Sequence, residues 1–246
     1  MILQACLNGV RPTFFHPRLP TTPDAIVADA VEAVGAGAHE IHLHVRDEAG
    51  AETLSPDAVD RIFAVLRARL PGTSVGISTG DWIEKDDDRR LGMIADWRMV
   101  PDYASVNLSE RDAPAVFEWL ARRGVAVEAG LGSIDDARRL VALGLAARSL
   151  RILVELDDAG VSVEAAQRTA DTILAVLAEA GISKPLLIHG AGQTVWSFVE
   201  RAARERYSTR VGLEDGATMP DGTVASSNAD LVAAAAALIT RSTSLR

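Results

Sequence analysis

Short, almost wholly apolar runs alternate along this chain with longer stretches in which apolar residues recur every three or four positions. Short runs of that kind suit strands buried on both faces, and the second period suits amphipathic helices. The alternation therefore predicts βα units around a parallel sheet. The predicted strands are Ile2–Leu7, Glu40–Val45, Ser74–Ser78, Tyr103–Asn107, Val125–Glu128, Leu150–Val154, Pro185–His189 and Thr209–Val211.

The predicted helices begin at Thr22-Pro23-Asp24 and at Ser55-Pro56, where a capping side chain precedes a proline that is tolerated in the first turn. The first runs to Gly35/Gly37 and the second ends near Pro71-Gly72. Six more cover Arg89–Trp97, Pro114–Arg123, Ile134–Leu143, Val163–Ala180, Thr194–Tyr207 and Asn228–Ile239, with Glu84–Arg90 read as a solvated loop or helix start. Eight strands and eight helices in strict alternation make an α/β (β/α)8 TIM barrel the economical architecture. No composition shift or linker divides the chain, so residues 1–246 are read as one barrel domain.

Composition narrows the function classes. The chain is 48% hydrophobic and carries a net charge of −9. It has no basic cluster able to track phosphates, which argues against nucleic acid. No apolar run has the length of a membrane span, and the first residues lack the basic and apolar regions of a signal peptide. A cytoplasmic protein is expected. The single cysteine, Cys6, lies in an apolar run and reads as a buried structural thiol. His16 and His39 fall in a loop and at a helix-to-strand turn, and both are expected at the surface.

The chemistry gathers at the strand ends. In such a barrel the catalytic groups sit at the C-terminal ends of the strands. Those ends carry Asn8, His42 and His44, Ser78 and Thr79, Ser105 and Asn107, Glu128, Glu155, His189, and Arg210 with Glu214 and Asp215. Two histidines two apart on a strand face the same side, so His42 and His44 can share one metal ion. Glu214 is the candidate third ligand, making a two-histidine, one-carboxylate site of the kind that holds zinc or non-haem iron. By spacing alone, His-x-His equally fits two ordinary barrel-lining residues. Arg210 with Asp215 reads either as a base and its tuning partner or as a structural ion pair. Ser78 and Thr79 also fit a turn, Asn107 a loop cap, and Glu128 and Glu155 solvated strand ends. His189-Gly190-Ala191-Gly192 before a helix resembles an anion-binding helix N-terminus, but it lacks the rest of a dinucleotide fingerprint.

The blocks ACLNG (5–9), LPTTPD (19–24), AGA-x-x-IHLHVRD (36–47), ISTGD (77–81), ASVN (104–107), RVGLED (210–215) and SNADLV (227–232), in this order and spacing, resemble the β-keto acid cleavage enzymes. The resemblance covers almost the whole chain. It implies a zinc-dependent (β/α)8 enzyme, usually a homotetramer, that exchanges acyl groups between a β-keto acid and acetyl-CoA to give acetoacetate and a new acyl-CoA. It implies His42, His44 and Glu214 as metal ligands, Asp215 and Arg210 as the catalytic pair, and Ser78 and Ser105 lining the substrate site.

Where the family's aminohexanoate-cleaving member has a glutamate for a substrate amine, this chain has Arg11. An arginine there suits an acid with a second negative group, such as a 3-oxo dicarboxylic acid. Alternatively, Arg11 points to solvent or closes the barrel mouth. VELDDAG (154–160) replaces a glycine-rich loop, HGAGQ replaces an arginine-bearing AGIGR, and the tail after the last helix is short. These departures bear on the acyl-CoA partner and the subunit contacts rather than on the metal site.

Two further readings compete. One is a zinc-dependent hydrolase of a small carboxylate substrate on the same barrel. The other is a metabolite-binding barrel without activity. Dependence on acetyl-CoA separates the first from acyl exchange.

Overall fold

In a computed structural model, described here for residues 1–156 and 160–244, eight parallel strands form a nearly closed barrel ringed by helices. The strands are β1 (Leu3–Cys6), β2 (Glu40–Leu43), β3 (Ser74–Ser78), β4 (Tyr103–Asn107), β5 (Ala126–Leu131), β6 (Arg151–Leu156), β7 (Leu186–Gly190) and β8 (Thr209–Val211). The helices are α1 (Pro23–Gly35), α2 (Pro56–Arg69), α3 (Asp87–Asp96), α4 (Ala113–Arg122), α5 (Ile134–Ala142), α6 (Val163–Glu179), α7 (Val195–Glu205) and α8 (Asn228–Ser244). The fold is a (β/α)8 barrel. Part of the VELDDAG segment, residues 157–159, lies outside the described residues, as does the end of the chain at 245–246.

Strand order is β7-β6-β5-β4-β3-β2-β1-β8. Thus β1 separates β2 from β8, with Cys6 in register with His42 and Ala5 with Val211. The ring closes between β7 and β8 through a bridge at Leu187 and Ser208, where the Ile188 amide donates to the Ser208 carbonyl at 2.9 Å. Four helices start where a side chain caps them, whereas Ser55, expected to cap α2, makes no such bond. Thr22, Asp86, Ser133 and Ser162 accept bonds from the first turns of α1, α3, α5 and α6. Apolar residues of the strands' outer faces and the helices' inner faces, including Ile41, Val75, Ile152, Ile26, Phe63, Phe117 and Phe198, are fully buried between the layers.

The largest departure among the strands is β5, which runs on past Glu128 to Leu131. Gly130 pairs with Asn107 of β4. A Cβ at Gly130 would sit 2.5 Å from Asn107 Oδ1, so the glycine makes room for a neighbour. Glu128 is therefore mid-strand and buried rather than at a solvated end.

Its Oε1 accepts from Arg151 Nε at 2.5 Å and from Gln4 Nε2 at 3.0 Å. Gln4 also bonds to the Tyr103 hydroxyl, Arg151 lies over the Tyr103 ring and Arg151 Nη2 pairs with Glu40. Together these groups plug the barrel on the side of the strand N-termini. His16, expected at the surface, is also buried. Its Nε2 donates to the Ala225 carbonyl at 2.9 Å and its Nδ1 accepts from the Arg18 amide, tying the β1 loop to the loop after β8.

Candidate active site

The C-terminal strand ends enclose a cavity of about 240 Å³. His42, His44 and Glu214 line it, as do Arg210, Asp215, Arg11, Ser78, Ser105 and Asn107. With Glu155 and His189, which also line it, the structure brings together eleven of the residues singled out in the sequence. Three others stand apart. Asn8 is buried behind the wall, where its amide donates to the Pro20 and His44 carbonyls and its Oδ1 accepts from the His44 amide at 2.9 Å. It fixes the backbone that presents His44. Thr79 turns into the wall and donates to the Ser105 carbonyl at 2.9 Å. Glu128 belongs to the barrel plug.

The ligand atoms of His42, His44 and Glu214 all lie within 4.8 Å of one another. Glu214 Oε1 stands 3.8 Å from His42 Nε2 and 3.5 Å from His44 Nε2. The three come from β2, the residue just after it, and the loop after β8, across the neighbouring β1. Gly9 makes this convergence possible. Its φ is +51°, and a Cβ there would fall 2.4 Å from Glu214 Cγ. Two buried atoms of the cluster, Glu214 Oε2 and His42 Nδ1, have no hydrogen-bond partner among the described residues. An unpaired buried carboxylate oxygen is costly unless a ligand completes it. Burial pushes the His42 imidazole down to about 3, so it is neutral and offers a lone pair. Burial works against charge at His44 too, but the Glu214 and Glu52 carboxylates bring it up to about 9. Two imidazoles, a carboxylate and an orphaned oxygen fit a divalent metal ion.

Beside this cluster Arg210 serves three carboxylates. Its Nη2 reaches Glu214 Oε1 at 2.9 Å, Asp215 Oδ1 at 3.1 Å and Glu155 Oε2 at 3.2 Å. Burial disfavours the guanidinium charge, yet Asp215, Glu214 and Glu155 together hold it protonated well above its usual range. The other Asp215 oxygen accepts from the Cys6 thiol at 2.6 Å, so the aspartate is oriented from both sides.

In sequence, His189 fits either a substrate-positioning or a core histidine, and Glu155 either a polar group of the site or a solvated strand end. Arg210 Nε donates to His189 Nδ1 at 3.3 Å, which leaves His189 Nε2 to donate to Glu155 at 3.0 Å. Burial would raise the Glu155 carboxyl, but Arg210 and His189 hold it down at about 2. The pair therefore buttresses Arg210 from the β6 and β7 side. The glycine loop after His189 is not an open anion cradle, because the Gly192 amide donates to the Asp215 carbonyl at 2.7 Å.

Arg11 points inward. Its Nε donates to the Glu214 carbonyl at 2.8 Å and its Nη2 to the Asp215 carbonyl at 3.2 Å, with the guanidinium 4.5 Å above the Phe15 ring. Trp82 and Glu52, which sequence reasoning passed over, stand against His44. Neither is part of a local motif. Only the folded loops bring them to the site.

A barrel with this concentration of buried ionisable groups at the C-terminal strand ends has the build of a (β/α)8 enzyme. The chain belongs to the beta-keto acid cleavage enzyme family, whose profile matches residues 1–244. It is 26% identical over 249 residues to the 3-keto-5-aminohexanoate cleavage enzyme of Fusobacterium nucleatum subsp. nucleatum, a match covering 94% of this chain and 88% of that protein. A 114-residue stretch is 32% identical to the 3-oxoadipate:acetyl-CoA acetyltransferase of Cupriavidus necator, covering 43% of this chain and 39% of that protein. Among solved structures, a ternary complex of ObcA with a C4-CoA adduct and oxalate is similar with a TM-score of 0.73 at 20% identity. That match covers 92% of this chain and 64% of the other, and at this identity the likeness is one of fold.

Proposed function

We propose that this chain exchanges acyl groups between a β-keto acid with an anionic tail and acetyl-CoA, at a divalent metal, zinc by preference, held by His42, His44 and Glu214. The observation that carries the reading is the meeting, in one cavity of a family member, of that ligand set with the Arg210–Asp215 pair. In the net reaction the bond between the keto carbon and the adjacent CH2 breaks. The acyl group leaves on the CoA sulfur, and the acetyl group takes its place to give acetoacetate.

When bound, the metal would supply Lewis acidity to the oxygens of the keto acid. The protein's own residues do the rest. Asp215 is the base that takes the proton from the carbon between the two carbonyl groups, and Arg210 keeps its carboxylate aimed. Ser78, Ser105 and Asn107 on β3 and β4 offer hydroxyl and amide groups to orient the acid. Arg11 supplies a fixed positive charge for the second carboxylate. Its stack on Phe15 and its bonds to two carbonyls hold it in the wall, so little order is lost on binding. The acetyltransferase relative is named for 3-oxoadipate, a β-keto acid of this shape. A cavity of about 240 Å³ accommodates such an acid but not the nucleotide of CoA, which would lie over the loops outside.

The deciding assay follows acetoacetate formation from acetyl-CoA with 3-oxoadipate and, separately, with 5-amino-3-oxohexanoate. Acetyl-CoA-dependent turnover with a higher kcat/KM on the dicarboxylic acid is expected. Preference for the amine would overturn the role of Arg11. Consumption of the acid without acetyl-CoA would replace acyl exchange by hydrolysis.

A further inference from the structure

The two histidines of the cluster are held very differently. His42 Nδ1 is buried and has no partner among the described residues. His44 Nδ1 donates to Glu52 Oε1 at 2.5 Å, and its ring lies nearly parallel to that of Trp82, with centroids 6.2 Å apart and an interplanar angle of 25°. Trp82 in turn donates its indole N–H to the same Glu52 oxygen at 3.4 Å. The His44 ring is therefore gripped on one face and at one nitrogen, with Nε2 turned toward Glu214.

The grip is built by two loops. After β2 the chain makes a short hairpin, with an antiparallel bridge between Arg46 and Glu52 and the Asp47 amide donating to the Ala51 carbonyl at 2.9 Å. Arg46 anchors this hairpin by donating to the Gly50, Gly9 and Arg11 carbonyls. The hairpin folds Glu52 back over His44, eight residues earlier in the chain. The second loop follows β3. There Trp82 packs its six-membered ring on Gly80, where an added Cβ would come within 2.2 Å of the indole. Gly80 is thus a seat that leaves Trp82 flat against the histidine.

We propose that Glu52 is a positioning residue that sets the divalent-metal affinity of this site through His44, with Trp82 as the backing of the clamp. The inference rests on the reading of His42, His44 and Glu214 as metal ligands. The physical reason is general. A carboxylate on the far nitrogen of a ligating histidine fixes its tautomer and orientation and makes the other nitrogen a stronger donor. Since His42 has no such partner, the device is concentrated on His44. Trp82 also lines the cavity, so its fluorescence should report loading of the site.

The test measures Zn²⁺ affinity of the metal-free full-length protein by competition with a chromogenic chelator at fixed pH, with metal-free melting temperatures recorded alongside. Glu52→Ala is expected to bind Zn²⁺ about 10–100-fold more weakly than wild type. Glu52→Gln, which keeps an acceptor but not the charge, should fall between the two. Trp82→Phe should weaken binding by roughly twofold or more, through lost bonding to Glu52, and should abolish most of the Zn²⁺-induced change in tryptophan emission. His42→Ala is the reference for the site itself. If it binds Zn²⁺ like wild type, the metal reading fails. If it loses the ion while Glu52→Ala, Glu52→Gln and Trp82→Phe all stay within twofold of wild type, the clamp is wrong and the metal reading stands. Should Glu52→Ala not fold, Glu52→Gln and Trp82→Phe decide the question by the same criterion.

Discussion

Asp215 takes a hydrogen bond on each oxygen, one from the Cys6 thiol and one from Arg210, and sits next in sequence to a metal-ligand candidate. Its proposed task is to accept a proton, which an amide oxygen of the same shape cannot do. Asp215→Asn should therefore lower kcat/KM by about 10²–10⁴-fold, in the range of a lost general base. Glu214 is untouched by this change, so Zn²⁺ stoichiometry by metal analysis should stay at the wild-type value.

A second buried aspartate acts on stability instead. Asp29 of α1 accepts from Asn228 Nδ2 at 2.6 Å, but burial outweighs that bond and raises its carboxyl from 3.8 to about 7, with Glu32 adding to the rise. The folded chain thus holds this proton more tightly than the unfolded chain does. The resulting stability is complete below about pH 4 and is lost as pH rises through 7. Asp29→Asn removes the titration and keeps an acceptor for Asn228. The melting temperature of the variant relative to wild type should rise by about 3 °C or more between pH 5 and pH 8. A difference independent of pH would contradict the assignment.

At the scale of elements, β2 with the residue after it and the loop after β8 present the metal-ligand candidates, and neighbouring loops hold them in place. Asn8 pins the backbone of His44, Thr79 pins that of Ser105, and the 46–52 hairpin delivers Glu52. Gly9 is a tight junction, because the β1 loop passes over the Glu214 side chain with no room for a Cβ. Gly9→Ala would place a side chain at φ +51°, at a cost of about 1 kcal/mol from the left-handed conformation. That cost is small for the fold. Displacing the carboxylate is not small for the site. The variant should fold with a melting temperature within about 5 °C of wild type and bind Zn²⁺ roughly tenfold or more weakly. Unchanged affinity would mean that Glu214 is not held by this contact.

Across the whole molecule, two polar layers occupy the barrel. The upper one lines the cavity. The lower one joins Gln4, Glu40, Tyr103, Glu128 and Arg151 from β1, β2, β4, β5 and β6. Arg151 is the cation that balances two carboxylates there. Burial opposes its charge, but Glu128 and Glu40 keep the guanidinium protonated above its usual range. Arg151→Ala would leave Glu128 buried without a counter-charge, a loss of about 3–5 kcal/mol. A fall in melting temperature of roughly 10 °C is expected. The double variant Arg151→Met, Glu128→Leu should recover much of that loss, since replacing both charges by apolar groups of similar volume removes the penalty. Among the described residues no helix is long and apolar enough to cross a membrane.

The sequence by itself determined the parts governed by local physics. Apolar periodicity located β1–β8 and α1–α8, though not the 3-10 turns Leu145–Arg148 and Gly192–Thr194, and β3, β4 and β8 came out with their observed limits. The two-residue period of a strand put His42 and His44 on one side, and the strict alternation of elements placed RVGLED at the last strand of the same barrel end. Tertiary structure decided what those groups meet. Glu128 was legible as a polar strand residue but not as a plug, because its level depends on how far β5 pairs with its neighbours. Asn8 and Thr79 sit at the right strand ends and yet turn into the wall, since each satisfies a backbone group that the loops bury. Glu52 and Trp82 reach the site through contacts that no spacing encodes, and Glu155 and His189, legible as strand-end groups, were not legible as the buttress of Arg210. A one-dimensional period reports which face a side chain takes, whereas its partner is chosen by the packing of chain segments far apart in sequence.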